Sequence, residues 1–138
     1  MSSAATASEP VYADASALVK AVVEEPESAA LVAYLRASSR QLVSTKIALV
    51  ETQRAVRIAT GVLTAEDAVV DLLAPFVLVA VTDAVLERAR RVEPAVLRTL
   101  DAIHLATALE VGARTMLVYD RRLAAAATAA GIAVISPR

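Results

Sequence analysis

Three features of the sequence predict an α/β domain built on a central, mostly parallel sheet. Five short apolar runs alternate with segments of helical periodicity: PVYAD (10–14), QLVST (41–45), FVLVAV (76–81), TMLVYD (115–120) and IAVIS (132–136). These runs are apolar along their length rather than alternating in and out, as strands buried on both faces are. The 138 residues suit one domain with a sizeable core.

In chain order, residues 1–10 (MSSAATASEP) lack the basic and apolar regions of a secretory signal and read as a disordered lead-in, with the domain at 11–138. PVYAD is the first strand, and ASALVKAVVEE follows it with helical character. Pro26 opens a second helix, whose Ala30, Leu31, Tyr34 and Leu35 share one face. QLVST feeds a long helix over 46–60, with Ile47, Val50, Ala55 and Ile58 among its apolar positions and Gly61 as its stop. Thr64 and Asp67 resemble a capping box, with Asp in place of the usual Glu, for a helix running to about Ala74. After FVLVAV, Thr82 or Asp83 caps a helix that runs towards Glu93. Thr99 offers a hydroxyl at the start of a helix over 98–111, which ends at Gly112. The Ala-rich RRLAAAATAAG is a helix of high propensity closed by Gly131, and IAVIS ends the sheet.

Composition narrows the chemistry. With 57% hydrophobic but only 3% aromatic residues, the core must be made of Ala, Val and Leu. The absence of cysteine excludes disulfides and zinc–thiolate sites. A net charge of −1 carries no global signal for nucleic acid or membrane. Twelve arginines against two lysines suit carboxylate or phosphate pairing. The longest uncharged run after the lead-in, 123–137, is fifteen residues broken by Gly131, too short for a bilayer span. A soluble, cytoplasmic protein with no membrane partner is expected.

Four acids stand in apolar settings: Asp14, Glu51, Asp101 and Asp120. Asp14 and Asp120 each end a predicted strand, so parallel strands would bring both to one edge of the sheet, where ligands of open α/β sheets bind. Each equally suits a helix N-cap, and a cap can still present one oxygen outward. Glu51 lies within a helix; on a solvated face its neighbour at helical spacing would be Arg54. Asp101, in the first turn of its helix, also suits the helix dipole. If the four converge, they would repel one another and raise each other's pKa unless a hard cation, Mg2+ or Mn2+, sits among them. Spacing permits that convergence without requiring it.

Four segments, YADASALVK (12–20), IALVETQRA (47–55), RTLDAIHLATAL (98–109) and VYDRRLAAAATAAGI (118–132), together resemble the PIN-domain family. The resemblance is to VapC-type toxin ribonucleases of bacterial toxin–antitoxin pairs, in the family's order and from about Val11 to the end. It implies a three-layer α/β/α fold with about five central strands, and metal-dependent endonucleolytic hydrolysis of RNA. On this resemblance, Asp14 matches the first acid and Asp101 the third, which together hold the metal. Glu51 matches the second acid, on its helix, and Asp120 a more peripheral fourth, completing a catalytic set. Ser16 matches a hydroxyl position that supports the site. Mg2+, with Mn2+ as a substitute, would activate a water for in-line attack, leaving a 5′-phosphate and a 3′-hydroxyl. The implied partners are RNA, a cognate antitoxin and a second copy in a homodimer. The stretch before Pro10 is longer than is usual in that family.

Other residues receive plainer readings. His104, one turn beyond Asp101, is a packed or hydrogen-bonded structural histidine, since acid–metal chemistry needs no imidazole. Arg121 and Arg122 oppose the helix dipole, as a solvated pair or as phosphate or acid contacts beside Asp120. Arg88, Arg90 and Arg91 form an exposed face, and Lys20 is either surface or an RNA contact. Two alternatives to the toxin remain: a PIN nuclease in RNA processing, and a non-catalytic receiver-like module. The latter would need paired acids after the first strand and a late Lys, but Ala15 follows Asp14 and no Lys follows Lys46.

Overall fold

The computed structural model describes residues 9–61 and 65–138. Most of the expected lead-in and the expected cap Thr64 lie outside the described residues. Five strands, β1 (Val11–Ala13), β2 (Leu42–Thr45), β3 (Val77–Val79), β4 (Thr115–Leu117) and β5 (Ala133–Ile135), form one sheet in the order β3-β2-β1-β4-β5. All neighbours are parallel, with Val11 beside Leu42 on one side and Thr115 on the other. Among the described residues, seven helices connect or follow them: α1 (Ala15–Val22), α2 (Ser28–Ala37), α3 (Lys46–Thr60), α4 (Ala65–Leu73), α5 (Asp83–Ala89), α6 (Thr99–Glu110) and α7 (Arg121–Ala129).

Strand periodicity divides the core. Val11, Ala13, Leu42 and Leu117 face a layer containing Ala17, Leu18 and Leu31 together with Ala48, Val56 and Val69, from α1 to α4. Tyr12, Val43, Met116 and Val118 face the opposite layer, with Leu105 and Ala108 of α6 and Leu123 and Ala126 of α7. Alternate side chains on one strand point to opposite faces, so short apolar runs can serve two helical layers. The three-layer α/β/α arrangement follows.

Helix ends obey local chemistry in most places. Gly61 adopts a left-handed conformation (φ 69°) and its amide bonds to Arg57 O, closing α3. Thr82 is the cap of α5, accepting from the Val85 amide at 3.2 Å. That helix stops at Ala89, short of the expected Glu93. Thr99 is already helical, and Arg98 holds the cap position of α6 with no side-chain cap bond.

The expected apolar positions of α3 need correction. Its buried residues are Ala48, Thr52 and Val56, one row at i, i+4, i+8, while Val50 is 56% and Ile58 83% exposed. Both registers are helical in period; burial follows the row that meets α1 and α4.

Candidate active site

The strand order places β2 and β3 on one side of β1, and β4 and β5 on the other. The carboxyl ends of β1 and β4 therefore flank the crevice where ligands bind in open parallel sheets. Asp14 directly follows β1. It is 3% exposed and caps α1, accepting from the Ala17 amide at 3.2 Å. The Ser16 hydroxyl donates to both of its oxygens, at 2.7 and 2.9 Å. Ser16 Oγ in turn accepts from the Tyr119 amide at 3.4 Å, tying the loop after β1 to the loop after β4. Burial pushes the Asp14 carboxyl above its ordinary pKa, against the opposing pull of His104, Ser16 and the Ala17 amide.

Asp120 stands three residues beyond β4 and caps α7, accepting from the Leu123 amide at 2.9 Å. The cap reading thus holds for both strand-end acids. Asp101 lies in the first turn of α6, and its carboxyl is also raised, first by burial and then by the negative charges of Asp120 and Glu51. Arg98 and His104 oppose the shift. Asp101 and Asp120 line one cleft of about 260 Å3 with Arg98, Arg121 and Arg122. Ser16, Glu51, Tyr119 and Asp120 line another of about 480 Å3. Asp120 borders both.

Glu51 does not take Arg54 as its partner. Its Oε1 lies 2.7 Å from His104 Nε2, and His104 Nδ1 lies 2.7 Å from the Tyr12 hydroxyl. His104 is therefore the hydrogen-bonded histidine expected, with an acid of the set at one end. Tyr12 escaped the sequence reading; the only signal was its place two residues before Asp14 on a buried strand. Lys20 is committed within the chain: it pairs with Glu25 at 2.7 Å and Glu27 at 3.1 Å and sits 4.8 Å from the Tyr119 ring centre. Arg88 pairs with Glu110, and Arg90 and Arg91 with Glu87, all on exposed surface.

A metal's fit rests on the donors. Among the described residues, no three His, Cys, Asp or Glu side chains are grouped to enclose an ion. The carboxylates nevertheless feel one another, since Asp120 and Glu51 both raise Asp101. An all-oxygen set of this kind suits a hard cation that keeps several waters and uses one or two carboxylates, and does not suit a closed cage. A groove of about 1030 Å3 between α1, α2 and α4 lies away from the four acids.

A family model described as PIN domain matches residues 11–129. Ribonuclease VapC46 of Mycobacterium tuberculosis is 43% identical over 129 residues, covering 92% of this chain and 97% of that protein. The chain belongs to the PIN-domain family, among its VapC ribonucleases. The fold agrees. The crystal structure of VapC20 of Mycobacterium tuberculosis, a Sarcin-Ricin loop cleaving toxin, superposes with a TM-score of 0.76 at 16% identity, covering 92% of this chain and 99% of that one. VapBC2 from Rickettsia felis, bound to a DNA fragment from their promoter, gives 0.71 at 12% identity, covering 94% and 99%. As a VapC-family protein the chain is a nuclease of a metal-dependent fold, and a receiver-like module is set aside. Among the described residues, no helix is long and apolar enough to cross a membrane.

Proposed function

We propose that this VapC-family protein is the toxin of a toxin–antitoxin pair, a Mg2+-dependent endoribonuclease acting in the cytoplasm and silenced by a cognate antitoxin. The observation that carries the site is geometric: Asp101 and Asp120 line one cleft, Glu51 and Asp120 line another, and the buried Asp14 lies at the end of β1. Asp14 and Asp101 would hold the cation. When bound, it supplies Lewis-acid activation of water and offsets charge on the phosphate.

The chain's own residues do the rest. Ser16 fixes both oxygens of Asp14, so this carboxylate cannot rotate freely towards solvent. Glu51, anchored on α3, and Asp120, at the start of α7, add negative charge that draws a cation to the crevice and keeps its neighbours in place. Arg98, Arg121 and Arg122 rim the cleft and would neutralise the phosphate backbone of the RNA. The pairing of VapB with VapC in the Rickettsia felis complex supports a protein antitoxin for this chain, and a homodimer is the assembly we expect.

The test is expression of the chain alone and together with its adjacent upstream reading frame. Growth arrest relieved by the neighbour supports a toxin. An active nuclease that causes no arrest points to RNA processing instead.

A further inference from the structure

Beyond the four acids, the most constrained polar side chain is His104. It is 1% exposed, and each ring nitrogen has a partner at 2.7 Å. An ionised Glu51 can only accept, so Nε2 carries the proton in that contact. When the ring is neutral, its Nδ1 is bare and accepts the Tyr12 hydroxyl proton. Burial raises the Tyr12 phenol and keeps it protonated, a steady donor. The Ser44 and Thr107 hydroxyls also face the Tyr12 phenol; their own protons go to the carbonyls of Ala13 and Ile103, so towards Tyr12 they offer oxygens that accept, beside Nδ1. The edge-on contact of the Tyr12 and His104 rings, 66° between planes, fixes the imidazole further.

The placement of this chain of bonds is informative. Tyr12 lies on β1 two residues before Asp14, His104 lies one turn after Asp101 on α6, and Glu51 projects from α3. One buried connection thus joins the elements that carry three of the four acids. We propose that His104 is a positioning residue: its Nε2–H, aligned from behind by Tyr12, holds the Glu51 carboxylate at the crevice and sets its distance from Asp14 and Asp101. This rests on reading Glu51 as an acid of the site. A glutamate on a helix surface samples several rotamers, and a fixed donor at 2.7 Å removes that freedom before substrate arrives.

The test uses the tag-free full chain, in which His104 is the sole histidine, so its ring signals need no further assignment. In metal-free protein, long-range 1H–15N correlation should find Nε2 protonated and Nδ1 bare. Glu51→Leu should abolish that preference, whereas Tyr12→Phe should leave it, since Glu51 still demands the Nε2 proton. A neutral ring with its proton on Nδ1 in the wild type overturns the proposal.

The kinetic arm first maps a cleavage position on a mixture of transfer and ribosomal RNA, then uses a short RNA carrying it. The Gln amide nitrogen stands where Nε2 stood, and the Asn nitrogen where Nδ1 stood. His104→Asn should lower kcat by roughly ten- to hundred-fold with KM little changed, and His104→Gln should recover most of that loss. Equal losses in both variants, as a packing role would produce, or no loss in His104→Asn, overturn the proposal. If the histidine variants fail to fold, Tyr12→Phe, which deletes one oxygen, takes their place: a lower kcat supports the tie and an unchanged kcat refutes it. A wild type that cleaves nothing, or a fully active Glu51→Gln, defeats the reading of the acid site instead, and the imidazole spectrum still decides the tie.

Discussion

Asp14 has two roles, helix cap and cation ligand, and a pair of substitutions separates them. Asp14→Asn keeps an oxygen for the Ala17 amide and for Ser16, and Asn caps helices about as well as Asp. It removes the charge. Asp14→Ala removes both, leaving the Ala17 amide and the Ser16 hydroxyl without their acceptor, at a cost of about 1–2 kcal/mol. Both variants are uncharged, so their difference isolates the cap, and it should appear as a Tm roughly 3–8 °C lower for Ala than for Asn.

The sign of the charge effect follows from burial. Asp14 has a folded-state pKa above its unfolded value, so ionisation works against folding. The penalty is absent below the ordinary Asp range and appears as pH rises from there through the raised pKa. Metal-free Asp14→Asn should therefore match the wild type in acid and be the more stable of the two at neutral pH. Added Mg2+ shifts the balance towards the wild type, because it binds the folded wild type; at ten times its Kd it contributes about 1.4 kcal/mol. Cleavage should fall by roughly a thousandfold or more in both variants, since several kcal/mol of cation-supplied stabilisation is lost. The assays are thermal melts across pH, with and without Mg2+, beside RNA cleavage. Asp14→Asn with wild-type cleavage refutes the ligand role, and Asp14→Ala as stable as Asp14→Asn refutes the cap.

Three further outcomes are expected. Asp101→Asn should abolish cleavage with circular dichroism unchanged, and excess chelator should do the same reversibly, with Mg2+ or Mn2+ restoring activity; cleavage surviving either would exclude the metal site. Leu105→Ala, in the layer beneath the sheet and 1% exposed, should destabilise by about 2–5 kcal/mol, read from urea midpoints, with no role in chemistry beyond the loss of folded protein.

What the sequence by itself determined was local and periodic. Five apolar runs marked the five strands. Gly61, with its positive φ, marked the end of α3, and Asp14 and Asp120 were recognisable as acids at strand ends that also cap helices. Family resemblance supplied the expectation that the four acids act together, which spacing alone could not. Tertiary structure decided which row of α3 turns inward. Val50–Ile58 and Ala48–Thr52–Val56 both have helical period, and the packing of α1 and α4 against α3 selects the small-residue row. It also decided the partner of Glu51. The sequence offered Arg54 three residues away; the fold instead brings in His104, 53 residues distant, itself held by Tyr12 another 92 away. Helical periodicity tells which residues share a face. The face that meets another element, and the hydrogen bond made there, depend on packing of distant segments, which no local pattern records.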